Sequence, residues 1–236
     1  CSSDLVNDKG RLYPEYLVCA YDWAVNHGVD IVHNSFQMDP WRFWKSDDPE
    51  QAAGLEAALR AIYTAQERGL TVLSGAGDDG LDLDAPTVDS SSPTDSMPIE
   101  NRNVEGATMV PAMVGGVAMV SALEMATPGA EPLRATLKRT DTSNYGFMRV
   151  GFAAPGRDIY STFPNLMIPS NYGYMSGTAV AAAHVSGVAA LVKSTHPALV
   201  GEQITNLMRK QGAYEYGRLA LPTDNNEYRG RGFLSA

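Results

Sequence analysis

Apolar residues recur along this chain at two different spacings, and the alternation between those spacings lays out the fold. Over residues 15–27 the interval is helical, with Leu17, Val18, Tyr21, Ala24 and Val25 on one face. Gly28 stops that helix, and His27 sits in its last turn, where a cation meets the carbonyl end of the dipole. Residues 29–36 (VDIVHNSF) then form a short apolar strand. Residues 48–68 carry the most regular amphipathic pattern. Ala52, Leu55, Ala58, Leu59, Ile62, Tyr63 and Ala65 fall near one face, Glu56 and Arg60 stand four apart, and Asp47, Asp48 and Glu50 crowd the start. Gly69 ends the helix and residues 70–73 (LTVL) make the next strand. A helix between two short apolar strands is a βαβ unit, whose strands are parallel and buried. Sites in such sheets gather at the carboxyl ends of strands. That singles out two loops, 35–38 and 74–80.

Further along, the same reading gives strands over 114–122, 150–154 and 159–163, a turn at 143–146, and a helix over 198–211. Residues 79–105 are polar, rich in Asp, Ser and Pro, and have no period, so they read as a loop. The run 172–191 (YGYMSGTAVAAAHVSGVAAL) opens on a Gly- and Ser-bearing turn and becomes apolar from Val180. Ala and Gly crowd it, which predicts a helix packed closely on most sides. A tight turn feeding a buried helix N-terminus suits a nucleophile, because the helix end stabilises negative charge. In the loop DPWRFW, Trp41, Phe43 and Trp44 either wall a pocket or pack the loop on the core. The pattern as a whole predicts one α/β domain over 1–236, with no internal repeat and no second domain.

Composition narrows the function classes. With 236 residues and 44% hydrophobic content, the chain can bury a sizeable core. A formal net charge of −9 argues against a nucleic-acid partner. No apolar run approaches the roughly 18 residues of a membrane span. Two cysteines, Cys1 and Cys19, exclude a disulfide framework and leave two thiols or a single bridge. Six acids between 79 and 100 (Asp79, Asp82, Asp84, Asp89, Asp95, Glu100) lack the spacing of a calcium loop, so no cofactor or metal is expected, with calcium left open.

Several segments, in order, resemble those of the subtilisin-like serine proteases (subtilases). Residues 176–187, SGTAVAAAHVSG, are similar to the family's S-G-T-S-M-A-x-P-H-V-x-G. Residues 23–36 resemble the helix and strand A-x-x-x-G-V-D-V-I-N-M-S-L, and 65–80 the strand ending A-A-A-G-N-x-G. Ser143-Asn144-Tyr145-Gly146, Ala153-Ala154-Pro155-Gly156, 158–162 and the close at 228–236 match in turn. The loops at 13–16, 39–44 and 87–93 are similar to those of secreted actinobacterial members. The resemblance implies a three-layer fold with a mostly parallel central sheet flanked by helices. It implies a secreted endopeptidase with an Asp–His–Ser triad. It places the nucleophile at Ala179, beside Gly177 and Thr178, and the oxyanion-hole position at Asp78. Ser35, Phe36 and Gln37 on one side, and Ser74, Gly75 and Ala76 on the other, would hold an extended peptide or protein substrate by strand addition.

Five departures carry weight. Ala179 has no hydroxyl, and loss of a triad serine costs about a million-fold in kcat. Asp78 stands where the family has Asn, and a carboxylate repels an oxyanion unless protonated. Its plainer reading is a solvated loop acid. Gln37 replaces a Gly, and Lys45 stands where the resembling branch has Cys. The D-T-G and H-G-T-H motifs of the acid and base are absent; Asp141 and His27 do not fit them, and His184 is a packing residue by resemblance. The chain thus reads as the C-terminal two-thirds of a catalytic domain, with the remaining third, carrying Asp and His, as a partner segment or separate chain. Two readings stay open: an endopeptidase whose nucleophile was deliberately replaced by alanine, or a natural pseudoprotease that binds peptides or acts as a scaffold. A flavodoxin-like or Rossmann module is disfavoured, since no G-x-G-x-x-G follows a first strand.

Overall fold

In the computed structural model, residues 5–125, 137–164 and 170–216 are described; backbone alone is described for 212–216. The chain folds as α1 (Pro14–Asn26), β1 (Ile31–Asn34), α2 (Pro49–Glu67), β2 (Thr71–Gly75), β3 (Val88–Asp89), β4 (Arg102–Asn103), β5 (Ala118–Met125), β6 (Leu137–Arg139), β7 (Phe152–Pro155), β8 (Ile159–Thr162), β9 (Tyr172–Met175), α3 (Thr178–Thr195) and α4 (Glu202–Tyr216). Cys1 and the close at 228–236 lie outside the described residues, and Cys19 is half-buried with a free thiol.

The expected βαβ unit is present. Parallel β1 and β2 pair from Ile31 with Thr71 to Asn34 with Ser74. β2 pairs parallel with β5, and β5 with β7, so β1, β2, β5 and β7 lie side by side as a parallel sheet. β6 joins the end of β5 antiparallel, where the sequence suggested no strand.

Alternation along the strands builds three layers. Val72 faces the core under α1 and α2, with Leu17, Tyr21, Leu55, Ala58 and Ile62. Leu73, Ala118, Val120 and Ala122 face the other way, onto Ala181, Ala182, Val185 and Ala189 of α3 and onto Ile204 and Met208 of α4. In α2 the buried stripe is Leu55, Ala58, Ile62 and Ala65, while Tyr63 falls off it and is exposed. The Asp48 side chain caps this helix by accepting from the Glu50 amide, and Pro49 fixes its first residue.

Four expectations are corrected. The third strand starts at Ala118 rather than at 114, because Gly116 turns the chain with φ +81° and the Val117 amide closes a turn on the Val114 carbonyl. Residues 172–175 form β9, paired antiparallel with β8, instead of a turn. α3 is buried on one face only: Ala183, Gly187 and Ala190 are exposed, and Leu191 is 68% exposed. Its sheet face and its α4 flank are covered, but the stripe of small residues has no cover among the described residues. Finally, the polar segment 79–105 is ordered around a two-stranded hairpin, with Val88 opposite Asn103 and Asp89 opposite Arg102.

That hairpin is pinned by a buried ion pair, the Arg102 guanidinium 2.9 Å from the Asp89 carboxylate. Burial alone would raise the Asp89 carboxyl. Hydrogen bonds from Arg102, Ser91 and Ser92 outweigh it and bring the group down to about 2. The Arg102 guanidinium also lies over the Trp41 ring, 4.7 Å from its centre, and donates to the Phe43 carbonyl. Removing one partner strands the other, so Asp89→Asn should lower stability by about 3 kcal/mol at neutral pH. With the folded carboxyl below its unfolded value, the stabilisation is present above about pH 4 and fades as pH falls toward 2. Urea unfolding of both proteins at pH 7 and in acid checks this; the gap between them should narrow in acid.

Candidate functional site

The carboxyl end of β2 meets the amino end of α3 with no room to spare. A Cβ placed on Gly75 would lie 2.9 Å from the Thr178 backbone carbon and 3.0 Å from the Ala179 nitrogen. Only glycine allows that approach. Two residues on, Gly77 has φ +96°, and a Cβ there would lie 2.6 Å from the Asn144 side-chain nitrogen. The loop after β2 is therefore held from two directions.

One holder is the first turn of α3. The Gly77 amide donates to the Thr178 hydroxyl at 2.9 Å, and that hydroxyl donates in turn to Asp78 Oδ2 at 3.2 Å. The Thr178 amide donates to Asp78 Oδ1 at 2.9 Å. Gly177, at the helix N-cap, supplies no side-chain cap, so Asp78 provides one from 100 positions away. The other holder is Asn144, which is fully buried. Its amide group donates to the Ala76 carbonyl at 2.8 Å, and its oxygen accepts from the amides of Asp79 (3.1 Å) and Leu81 (2.8 Å).

A cavity of about 290 Å³ opens at the carboxyl ends of β1 and β2 against this turn. Of the residues singled out in the sequence, Ser35, Phe36, Gln37, Gly75, Asp78, Thr178 and Ala179 line it. Ser74 and Ala76 do not: both are fully buried, Ser74 is paired to β1 and β5, and the Ala76 amide is taken by the Val120 carbonyl. Gly177 stands just behind the lining, its position facing the Asp78 carboxylate. Asp78 is exposed, yet it is not a free loop acid. Both its oxygens accept from Thr178, so it is arranged as a helix cap and not as a donor toward the cavity.

The cavity also contains residues that local pattern did not reveal. Trp44 and Phe43 pack into the core, and Trp44 donates from its ring nitrogen to the Met38 carbonyl. Arg42, between the aromatics, instead reaches the cavity and pairs with Asp79 at 2.9 Å. Burial raises the Asp79 carboxyl, Arg42 opposes that, and the charges of Asp78 and Asp89 add to it. Met109 and Ala112 complete an apolar wall. Asn144 sits in a turn that the sequence did mark, but only as a turn. His184 bonds the Val180 carbonyl one turn back, and His27 closes on the Trp23 carbonyl and stacks on the Trp23 ring, so neither faces the cavity. Among the described residues, no group of three or more His, Cys, Asp or Glu is placed to hold a metal ion.

The hydroxyl of Thr178 joins the loop to the helix, so its loss should be felt. Thr178→Val keeps the shape but strands the Gly77 amide and should cost about 1–2 kcal/mol, whereas Thr178→Ser should cost less. Urea unfolding of the two variants against the parent checks the order.

Comparison with known proteins places this arrangement. The profile of the Subtilase family matches residues 2–228. Subtilisin DY from Bacillus licheniformis is 25% identical over 202 residues, which is 86% of this chain and 56% of that protein. Subtilisin Savinase from Lederbergia lenta is 26% identical over 188 residues, 80% of this chain and 51% of that one. The chain thus spans about half the length of these relatives. A lanthipeptide protease structure superposes with a TM-score of 0.68 at 22% identity, covering 98% of this chain and 66% of the other. The epidermin leader peptide processing serine protease of Staphylococcus aureus, solved with a serine-to-alanine substitution, gives 0.69 at 20% identity, covering 98% and 55%. At such identities these two structures speak to fold alone, but the profile match covers most of the chain. The protein belongs to the subtilase family.

Proposed function

We propose that the chain is the larger part of a secreted serine endopeptidase catalytic domain, in a form silenced at the nucleophile position. One observation supports the reading. Ala179 stands in the first turn of α3 and lines a cavity at the carboxyl ends of two parallel strands, at the position where the motif resemblance expects serine. Substrate would lie extended along Ser35, Phe36 and Gln37 and meet the other wall at Gly75. An apolar or aromatic side chain would contact Phe36 and Met109.

The acid and base would come from the segment that completes the domain. Two surfaces support a place for it. β1 pairs with β2 along one edge and has no strand on its other edge among the described residues. Beside it runs the uncovered face of α3, at Ala183, Gly187 and Leu191. A parallel sheet is normally covered on both faces, and an exposed apolar edge is a liability.

The second reading, a peptide-binding pseudoprotease, draws on Asp78. A residue committed to accepting from Thr178 supplies no hydrogen-bond donor to an oxyanion, and loss of one such donor costs about 2.7–4 kcal/mol of transition-state stabilisation. The codon at position 179 of the natural gene separates the two readings, Ser for the silenced enzyme and Ala for the pseudoprotease.

The activity test is Ala179→Ser in the complete catalytic domain, assayed on casein. The enzyme reading expects hydrolysis to rise by about a million-fold over the alanine form. A serine form that turns over nothing contradicts it.

A further inference from the structure

A second hydroxyl lines the same cavity, and it has a base. We propose that Ser35 and His33 form a nucleophile–base pair that accepts an acyl group from a small activated ester, independently of position 179. The two residues stand two apart at the end of β1, so their side chains share the face toward α3. His33 Nε2 is hydrogen-bonded to the Ser35 hydroxyl, and His33 Nδ1 lies 3.1 Å from the Ser186 hydroxyl on α3.

The network settles where each proton sits. Ser186 donates its only hydroxyl proton to the Ala182 carbonyl, at 2.9 Å. Toward His33 it can therefore only accept, which places the ring proton on Nδ1. Nε2 is left with its lone pair and accepts from Ser35. A nucleophile bonded to a base, with the base oriented by a third group, is the arrangement that activates a serine. Burial lowers the pKa of His33, which keeps the ring neutral and able to take a proton. Ser35 itself is exposed to the cavity.

Ala179, in the first turn of α3, lines the same cavity as Ser35 and brings a backbone amide to that turn, although the Thr178 amide beside it is taken by Asp78. Asn34 pairs with Ser74, so Ser35 follows beside Gly75, which lies against the Ala179 nitrogen. Amides in the first turn of a helix have no intrahelical acceptor and favour negative charge.

With p-nitrophenyl acetate the step balances. Ser35 Oγ attacks the acetyl carbon and its proton passes to His33 Nε2. The bond to the aryl oxygen breaks and that oxygen takes the proton from Nε2. Acetyl-Ser35 and p-nitrophenol result, and water then releases acetate. Amide hydrolysis is not part of this proposal, so it stands or falls apart from the endopeptidase reading.

The experiment treats the 236-residue chain with p-nitrophenyl acetate, follows p-nitrophenol release and maps the acetyl group by peptide mass spectrometry. Acetylation at Ser35 is expected, absent in Ser35→Ala and slowed about 100-fold or more in His33→Gln. Ser186 is a positioning residue: Ser186→Ala should slow the step and Ser186→Thr should restore it. Thermal melts report whether each variant folds, and the adduct map on the unaltered chain needs no variant. An unaltered chain acetylated only at lysines, or a folded His33→Gln protein that reacts at the parent rate, overturns the proposal.

Discussion

The site depends on one hydrogen-bonded clamp. Gly77, Asp78 and Thr178 tie the loop after β2 to the first turn of α3 through three bonds of 2.9, 3.2 and 2.9 Å. A helix start leaves amides without partners and carries a partial positive charge, so a carboxylate is a good occupant. Because the cap comes from a distant loop and not from Gly177, forming the helix end and forming the cavity wall are the same event. Gly75 permits the approach and Asn144 backs the loop from behind.

The same clamp shapes the cavity without calling on the side chain at 179. The groups that shape the wall are Thr178, Gly75, Gly77 and Asn144, and none of them requires a hydroxyl at 179. An alanine there leaves the packing of α3 on Leu73, Ala118 and Val120 untouched. Both carboxylate oxygens of Asp78 are committed to the helix start. A second site, at Ser35 and His33, uses the same cavity through β1 instead of α3.

Much of the fold was legible in the sequence because the signals were local. The 3.6-residue period of α2, its acidic start at Asp47, Asp48 and Glu50, and the short apolar strands on either side gave a parallel βαβ unit and pointed to two loops, 35–38 and 74–80, beside which the cavity opens. What escaped was set by partners far along the chain. Residues 172–175 (YGYM) read as part of a turn because Gly173 and the following Ser176 and Gly177 punctuate the stretch, but β8 supplies a pairing edge. The composition of α3 suggests burial all round, yet small residues are equally suited to a face that awaits another element, and Leu191 is exposed. Asp78 read as an oxyanion-hole position or a loop acid, since its partner lies 100 residues away. Arg42 was hidden among aromatics that drew attention to themselves, while its partner Asp79 lies on another loop. Of the residues singled out by the family resemblance, Ser35, Phe36, Gln37 and Ala179 line the cavity, while Ser74 and Ala76 are buried by their neighbours in the sheet.

Amide hydrogen exchange tests the clamp most directly, read at Gly77 and Thr178 in the chain and in its Asp78→Ala variant. With the carboxylate in place the Thr178 amide should be protected, although it begins a helix where amides usually exchange fast. Removing the carboxylate should leave Thr178 exchanging at the rate of an open helix end, with Gly77 following as the Thr178 hydroxyl loses its acceptor. Protection at Thr178 that is absent from the start, or that survives Asp78→Ala unchanged, would contradict the account.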